Sequence, residues 1–255
     1  MDRITSAKNP MIQRLRELKN AKARRSEGCF LVEGEVMIRE ALKCGLVLRE
    51  AVADDGCADF AGELEKIGLR VVLVSRNLIE TICETHTPQG VCAAFETPAS
   101  LELDALPDRI VALDGVQDPG NVGTIWRTAD AAGFQALLLG AGSADPLSPK
   151  VQRAAMGSGF RLGFAHAPVL ADALCILKER GYAVLASDLS GEDFYARPDC
   201  GEKFVLVIGN EARGISDAVR SAASCLVRLP MRGGAESLNA AVAAGIMMYE
   251  LMREK

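Results

Sequence analysis

At 255 residues the chain is long enough for one large domain or two modest ones, each with a core of its own. A hydrophobic fraction of 49% and a charged fraction of 25% belong to soluble globular proteins and set aside disordered and fibrous classes. The net charge of −5 argues by itself against a nucleic-acid binder, so any such role must come from local charge.

The opening MDRITSAKNP has no apolar run and no small-residue cleavage site, and no stretch nears the roughly 18–20 apolar residues of a membrane helix. A cytoplasmic protein without membrane attachment is expected. Residues 1–25 hold eight basic side chains (Arg3, Lys8, Arg14, Arg16, Lys19, Lys22, Arg24 and Arg25) against Asp2 and Glu17. Such a segment on an acidic protein can hold phosphates; a solvated helix face is the competing explanation. Asn9-Pro10 predicts an N-cap and first helical residue, and Ile12, Leu15 and Leu18 recur at helical spacing until Gly28 ends the helix. FLVEG follows as a strand, then a helix over 36–43, a strand over 47–53, a helix over 57–67, the strand RVVLVS, a helix over 76–83 and the strand GVCAAFE. ETPASLELDALPD, with two prolines and no sustained period, reads as a connection, and the domains are expected at 1–97 and 109–255 with a linker over 98–108.

From residue 109 apolar strands alternate with helices: RIVALD, a helix over 121–132, QALLLG, helices over 149–157 and 170–180, AVLASD, FVLVIG, a helix over 215–223, CLVRLP and a final helix over 237–253. This alternation predicts a mainly parallel sheet covered on both faces, with ligands beyond the carboxyl ends of its strands. The eight cysteines form no CxxC pair and the two histidines, His86 and His166, lie near no second ligand, so reduced thiols and no metal site are expected.

Three segments stand at strand ends. DGVQDPGNVGTIWRTADAAGF (114–134) turns through Asp118-Pro119-Gly120 into a helix; Gly120 and Gly123 allow close approach of a ligand or backbone, and Arg127 lies about two turns in, able to reach a phosphate or carboxylate. FVLVIGNEARGIS (204–216) runs a buried strand into Gly209-Asn210-Glu211, with Gly214 before the next helix; a glycine after such a strand commonly admits an adenine or ribose. LPMRGGAESLNAAVAAGIMMYELM (229–252) ends a strand at Leu229-Pro230, passes through a glycine-bearing loop at Met231, and starts an Ala/Gly-rich helix near Ser237, a good N-cap, and Asn239. Each alone has an ordinary structural explanation. Trp126 is expected as a packing residue, with base stacking as the alternative, and Met247, Met248 and Met252 as core or dimer-face filling.

Together the three segments, in order, resemble the SpoU (TrmH-like) RNA 2′-O-ribose methyltransferases of the SPOUT superfamily, over roughly residues 108–255. ITSAKNPMIQRLREL and FLVEGEVMIREAL are similar to the substrate-binding domain that precedes it in many members. The resemblance implies an α/β fold: a C-terminal domain tied in a deep trefoil knot, preceded by a smaller ribosomal-protein-like α/β/α domain that binds RNA. Knots are otherwise very rare, and periodicity does not suggest one. It implies S-adenosylmethionine held around Gly209, Asn210, Gly214, Leu229, Pro230, Met231 and Leu238, a homodimer through the knotted domain, and a functional set of Asn121, Arg127, Glu211, Ser237 and Asn239. Lys8, Arg14, Lys22, Arg24 and Arg25 are the expected RNA contacts, with rRNA favoured over tRNA by the two-domain layout. The family often gives its motif arginine the part of general base; a guanidinium is normally protonated, so Arg127 is read here as a phosphate grip that steadies the developing alkoxide. A Rossmann NAD enzyme would need GxGxxG with an acid about 20 residues on, which Asp114–Gly123 does not supply. A non-catalytic RNA-binding protein with a vestigial knot is the remaining rival, opposed by retention of the five functional residues.

Overall fold

The computed structural model describes residues 2–85 and 87–253, so His86 lies outside the described residues. By contacts the chain divides into two compact units, Met1–Ala99 with Leu147–Arg153, and Ser100–Pro146 with Ala154–Lys255.

The first unit begins with β1 (Asp2–Ile4), α1 (Pro10–Glu17), α2 (Ala21–Glu27), β2 (Cys29–Glu33) and α3 (Glu35–Lys43). It continues through β3 (Leu48–Ala53), α4 (Ala58–Lys66), β4 (Val71–Val74), α5 (Arg76–Ile82) and β5 (Val91–Glu96). Its sheet has the order β1-β4-β3-β5-β2, with β5 antiparallel to both neighbours. Asn9 caps α1 through its side chain, with Pro10 in the first turn as the sequence predicts. The single predicted helix is instead two. The chain leaves α1 at Leu18, and Arg24 of α2 folds back to donate from Nη1 to the carbonyls of Leu18 (2.8 Å) and Lys19 (2.7 Å). Those are carbonyls of the kind a helix end leaves without partners. Ile12, Leu15 and Leu18 join Leu31, Val52, Val72 and Ile79 in one core.

The second unit carries β6 (Arg109–Asp114), α6 (Pro119–Ala132) and β7 (Ala136–Gly140); α7 (Pro149–Ala155) follows in the chain, then β8 (Gly163–Ala167), α8 (Leu170–Glu179) and β9 (Ala183–Asp193). It closes with β10 (Phe204–Gly209), α9 (Asp217–Ala222), β11 (Cys225–Arg228) and α10 (Ala240–Met252). Every strand pair in its sheet is parallel, in the order β11-β9-β10-β6-β7-β8. The α/β class with a mainly parallel sheet is therefore as predicted. All of FVLVIG in β10 is buried, as both-face burial requires. Strand β8 was not predicted: GFAHA is short and presents His166 to solvent. Residues 100–108, expected as a linker, pack on the second unit. Leu101 N donates to the Phe164 carbonyl (2.8 Å), Leu106 is buried, and the Tyr182 hydroxyl donates to the Leu106 carbonyl (3.0 Å).

All eight cysteines are free thiols. Among the described residues no helix is long and apolar enough to cross a membrane.

Candidate active site

The site gathers where β6 and β10 end side by side, Gly209 opposite Asp114. Beyond β10 the chain folds back on itself: Asn210 and Gly214 exchange two backbone hydrogen bonds of 2.9 Å. A Cβ on Gly209 would lie 2.3 Å from the Gly214 carbonyl carbon, so only glycine permits this return. Asn210 Oδ1 accepts from the Ala212 and Arg213 amides, and its Nδ2 donates to the Gly115 carbonyl (2.8 Å), tying the turn to the end of β6. The Asp114 carboxylate accepts from Ser216 N (2.6 Å).

Glu211 leaves this turn and meets the start of α6. Its carboxylate accepts from Asn121 Nδ2 (2.8 Å) and from the amides of Gln117 and Asp118 (both 3.3 Å). Burial pushes the Glu211 carboxyl up, but the bonds from Asn121 and from backbone amides outweigh it and hold the group below the ordinary carboxylate value. Asp118 caps α6 by accepting from Asn121 N (2.8 Å). Asn121 Oδ1 in turn accepts from Asn239 Nδ2 (3.0 Å), while Asn239 Oδ1 caps α10 through Ala241 N (2.9 Å) and Val242 N (3.2 Å). Asn239, not Ser237, therefore starts the last helix. Asn239, Asn121 and Glu211, one from each motif, form one hydrogen-bonded chain.

Beside it opens a cleft of about 780 Å³, within the range of small-ligand sites. Gly209, Asn210, Glu211, Gly214, Leu229, Met231, Ser237, Leu238 and Asn239 line it; Pro230, Asn121 and Arg127 do not. Ile208 and Met247 add apolar wall, and Leu238 remains 38% exposed. Apolar walls with backbone polar groups at a strand end suit a flat heterocycle and its sugar, so the residues present fit an adenosine-bearing cofactor.

Arg127 sits on the exposed side of α6 with no hydrogen bond or ion pair among the described residues. Trp126 beside it is fully buried, donates from Nε1 to the Leu162 carbonyl (3.0 Å), and meets Phe164 edge-on at 5.7 Å; base stacking is excluded by that burial. Gly123 is buried within α6 rather than offered to a ligand. Sequence reasoning missed Ser187, Asp188, Ser190, Arg220 and Arg228, which also line the cleft. LASDLS lies within β9, where that strand runs on past its pairing with β10, and no motif marked it.

In the first unit, Lys8, Lys22 and Arg25 are exposed, and Arg14 is ion-paired with Glu50. Arg24 corrects the expectation: it is only 4% exposed and holds the α1 end, so it is not a phosphate contact.

The SpoU rRNA Methylase family matches residues 108–249, more than half of the chain. The chain belongs to that family. An MRM3-like substrate binding domain matches residues 9–93 of this SpoU methylase. It is 36% identical over 98% of its length, and 99% of the relative's, to the 23S rRNA (guanosine(2553)-2′-O)-methyltransferase RlmP of Bacillus subtilis. It is also similar to an AdoMet-bound rRNA methyltransferase from Sinorhizobium meliloti, with a TM-score of 0.88 and 35% identity over 99% of this chain and 98% of that one. The SpoU methyltransferase AviRb from Streptomyces viridochromogenes, in complex with the cofactor AdoMet, gives a TM-score of 0.85 at 32% identity, covering 97% and 98%.

Proposed function

We propose that this S-adenosylmethionine-dependent RNA methyltransferase modifies a ribose 2′-hydroxyl of ribosomal RNA, and of the large subunit in particular. The observation that carries this is the Asn239–Asn121–Glu211 chain standing at the cleft lined by Gly209, Leu229 and Leu238. The likeness to a 23S rRNA ribose methyltransferase along nearly the whole chain supports rRNA over tRNA.

Backbone around Gly209, Asn210, Gly214, Leu229, Pro230 and Met231, with the Leu238 side chain, would hold the cofactor. When bound, it supplies an activated sulfonium methyl. What remains for the protein is to align the ribose oxygen and to steady it as its proton leaves. Glu211, kept ionised, fixes the Asn121 amide, and Asn121 fixes Asn239; these groups orient rather than deprotonate, since a carboxyl held low is a weak base. Ser237, exposed on the cleft wall, is a further polar contact for the ribose. Arg127 grips the adjacent phosphate and stabilises the developing alkoxide. A pH–rate profile of wild type and Arg127→Lys checks this. Both profiles should keep the same titrations, with weaker RNA binding in the variant; loss of one titration with RNA binding intact would make Arg127 the base.

Lys8, Arg14, Lys22 and Arg25 on residues 1–97 serve RNA phosphates, while residues 109–255 carry the chemistry. Val242, Ile246 and Tyr249 lie at i, i+4 and i+7 on the exposed side of α10, which supports a homodimer through that helix. The α10 helix packs on α6 and β10, an arrangement compatible with the threading of a trefoil knot. A cytoplasmic site of action fits an rRNA substrate. Mass spectrometry of ribose-methylated nucleosides in rRNA and tRNA from cells with and without the gene tests the substrate: one 2′-O-methyl mark should vanish from rRNA, and a loss confined to tRNA would overturn the assignment.

A further inference from the structure

The cleft has a second polar side that the Asn239–Asn121–Glu211 chain does not use. It lies where β11 ends, beside the middle of β9 at Ser187–Ser190. In the sheet order β11-β9-β10-β6, β11 stands two strands, about 10 Å, from β10, on the side away from β6 and α6. Arg213, Arg220 and Arg228 all line the cleft, and they differ in what already holds them.

Arg220 is neutralised. Its Nη2 lies 2.6 Å from Asp188 Oδ2, its Nη1 donates to Ser190 Oγ (3.2 Å), and its Nε is 4.0 Å from Asp217. Asp188 is in turn nearly buried, its side chain 8% exposed. Arg213 is on an exposed turn, and its side chain has no hydrogen bond or ion pair among the described residues. Arg228 combines the two properties an anion receptor needs. Its Nη1 donates to the Gly191 carbonyl (2.7 Å), which fixes the guanidinium, yet it has no carboxylate partner among the described residues. The close approach of the strands makes that bond possible: a Cβ on Gly191 would lie 2.5 Å from Leu226 and Val227 backbone atoms, at the irregularity where β11 shifts register on β9. A bond from Nη1 to a neutral carbonyl leaves the charge uncompensated and the Nε–Nη2 edge, the fork that suits a carboxylate, without a partner among the described residues.

We propose that Arg228 receives the α-carboxylate of the cofactor's methionine portion, with the Arg220–Asp188 pair holding the adjacent wall. This rests on the S-adenosylmethionine reading above. It places the cofactor's charged tail on the β11 side and leaves the β6 side, with Asn121, for the ribose. The same chemistry would also take an RNA phosphate, and the experiment separates the two.

Binding of S-adenosylhomocysteine and of 5′-methylthioadenosine, which lacks the amino-acid carboxylate, is measured by calorimetry on the full chain as wild type, Arg228→Met and Arg228→Lys. Binding of an rRNA fragment is measured alongside. Arg228→Met should weaken S-adenosylhomocysteine by about tenfold or more, leave methylthioadenosine unchanged, and leave RNA affinity unchanged, with Arg228→Lys recovering part of the loss. Methylthioadenosine binding also reports that the cleft is folded. Unaltered S-adenosylhomocysteine affinity, or equal weakening of both small ligands, overturns the proposal. Loss of RNA affinity alone overturns it in favour of a phosphate contact. A wild-type chain that binds neither small ligand would sink the cofactor reading itself, and the proposal with it.

Discussion

Asn239 serves two structures at once: Oδ1 caps α10, and Nδ2 reaches Asn121. The two tasks can be separated. Asn239→Ser retains a capping oxygen but loses the amide Nδ2 that reaches Asn121 while Oδ1 caps the helix, so melting should stay close to wild type while turnover falls by about tenfold or more. Asn239→Ala should also lose about 1 kcal/mol in denaturant unfolding, from the missing cap. Equal turnover in Asn239→Ser and wild type would remove the hydrogen-bonded chain from the mechanism. Glu211 makes a second case. Its folded carboxyl is held low, so its hydrogen bonds stabilise the fold fully above the unfolded value, about 4.3, and that contribution fades as pH falls through the lowered folded value. Glu211→Gln should therefore be less stable than wild type at pH 7 and converge with it in acid. A gap in urea midpoints that persists below the transition would contradict the assignment.

At the scale of elements, α6 joins the site to the core. Asp118 caps it, Asn121 and Arg127 lie on its open side, and Trp126 anchors the buried one. Trp126→Ala should cost about 3–5 kcal/mol in equilibrium unfolding, as large core truncations do. Trp126→Phe keeps the ring contact with Phe164 but leaves the Leu162 carbonyl without its donor. It should lose stability while RNA affinity per folded molecule stays constant; a normal melt with poor RNA binding would restore the stacking role. The elements legible in the sequence were those with strong period or caps: β6, β10, α6, α10 and the Asn9-Pro10 start. The break after Leu18 was not legible, because Arg24 stabilises it through tertiary contacts rather than any turn residue. The site divided similarly. Gly209, Glu211 and Asn239 announced themselves through local motifs, whereas Asp188, Arg220 and Arg228 gather only because the sheet order sets β9 beside both β10 and β11. Local patterning carries no trace of that order.

Across the whole molecule, an acidic chain carries a basic first segment, which the proposed function assigns to RNA phosphates. Arg24 and Arg25 are neighbours with different work, one buried and one exposed. Replacing Lys22 and Arg25 with Gln should weaken RNA binding across sequences and flatten the salt dependence by about one to two released counterions. Arg24→Gln should instead lower the melting temperature and leave the salt slope alone. At the same scale, Val242→Glu on the open side of α10 should convert a dimer to monomers in sedimentation, and an unchanged mass would remove α10 from the interface. Methyl transfer to a ribose oxygen is the activity proposed for this chain. Its most direct test is to incubate purified protein with S-adenosylmethionine and unmodified large-subunit rRNA, then digest to nucleosides for mass spectrometry. The expected product is a single 2′-O-methylnucleoside, absent with Arg127→Ala; a methyl group on a base, or no methylated nucleoside at all, would contradict the claim.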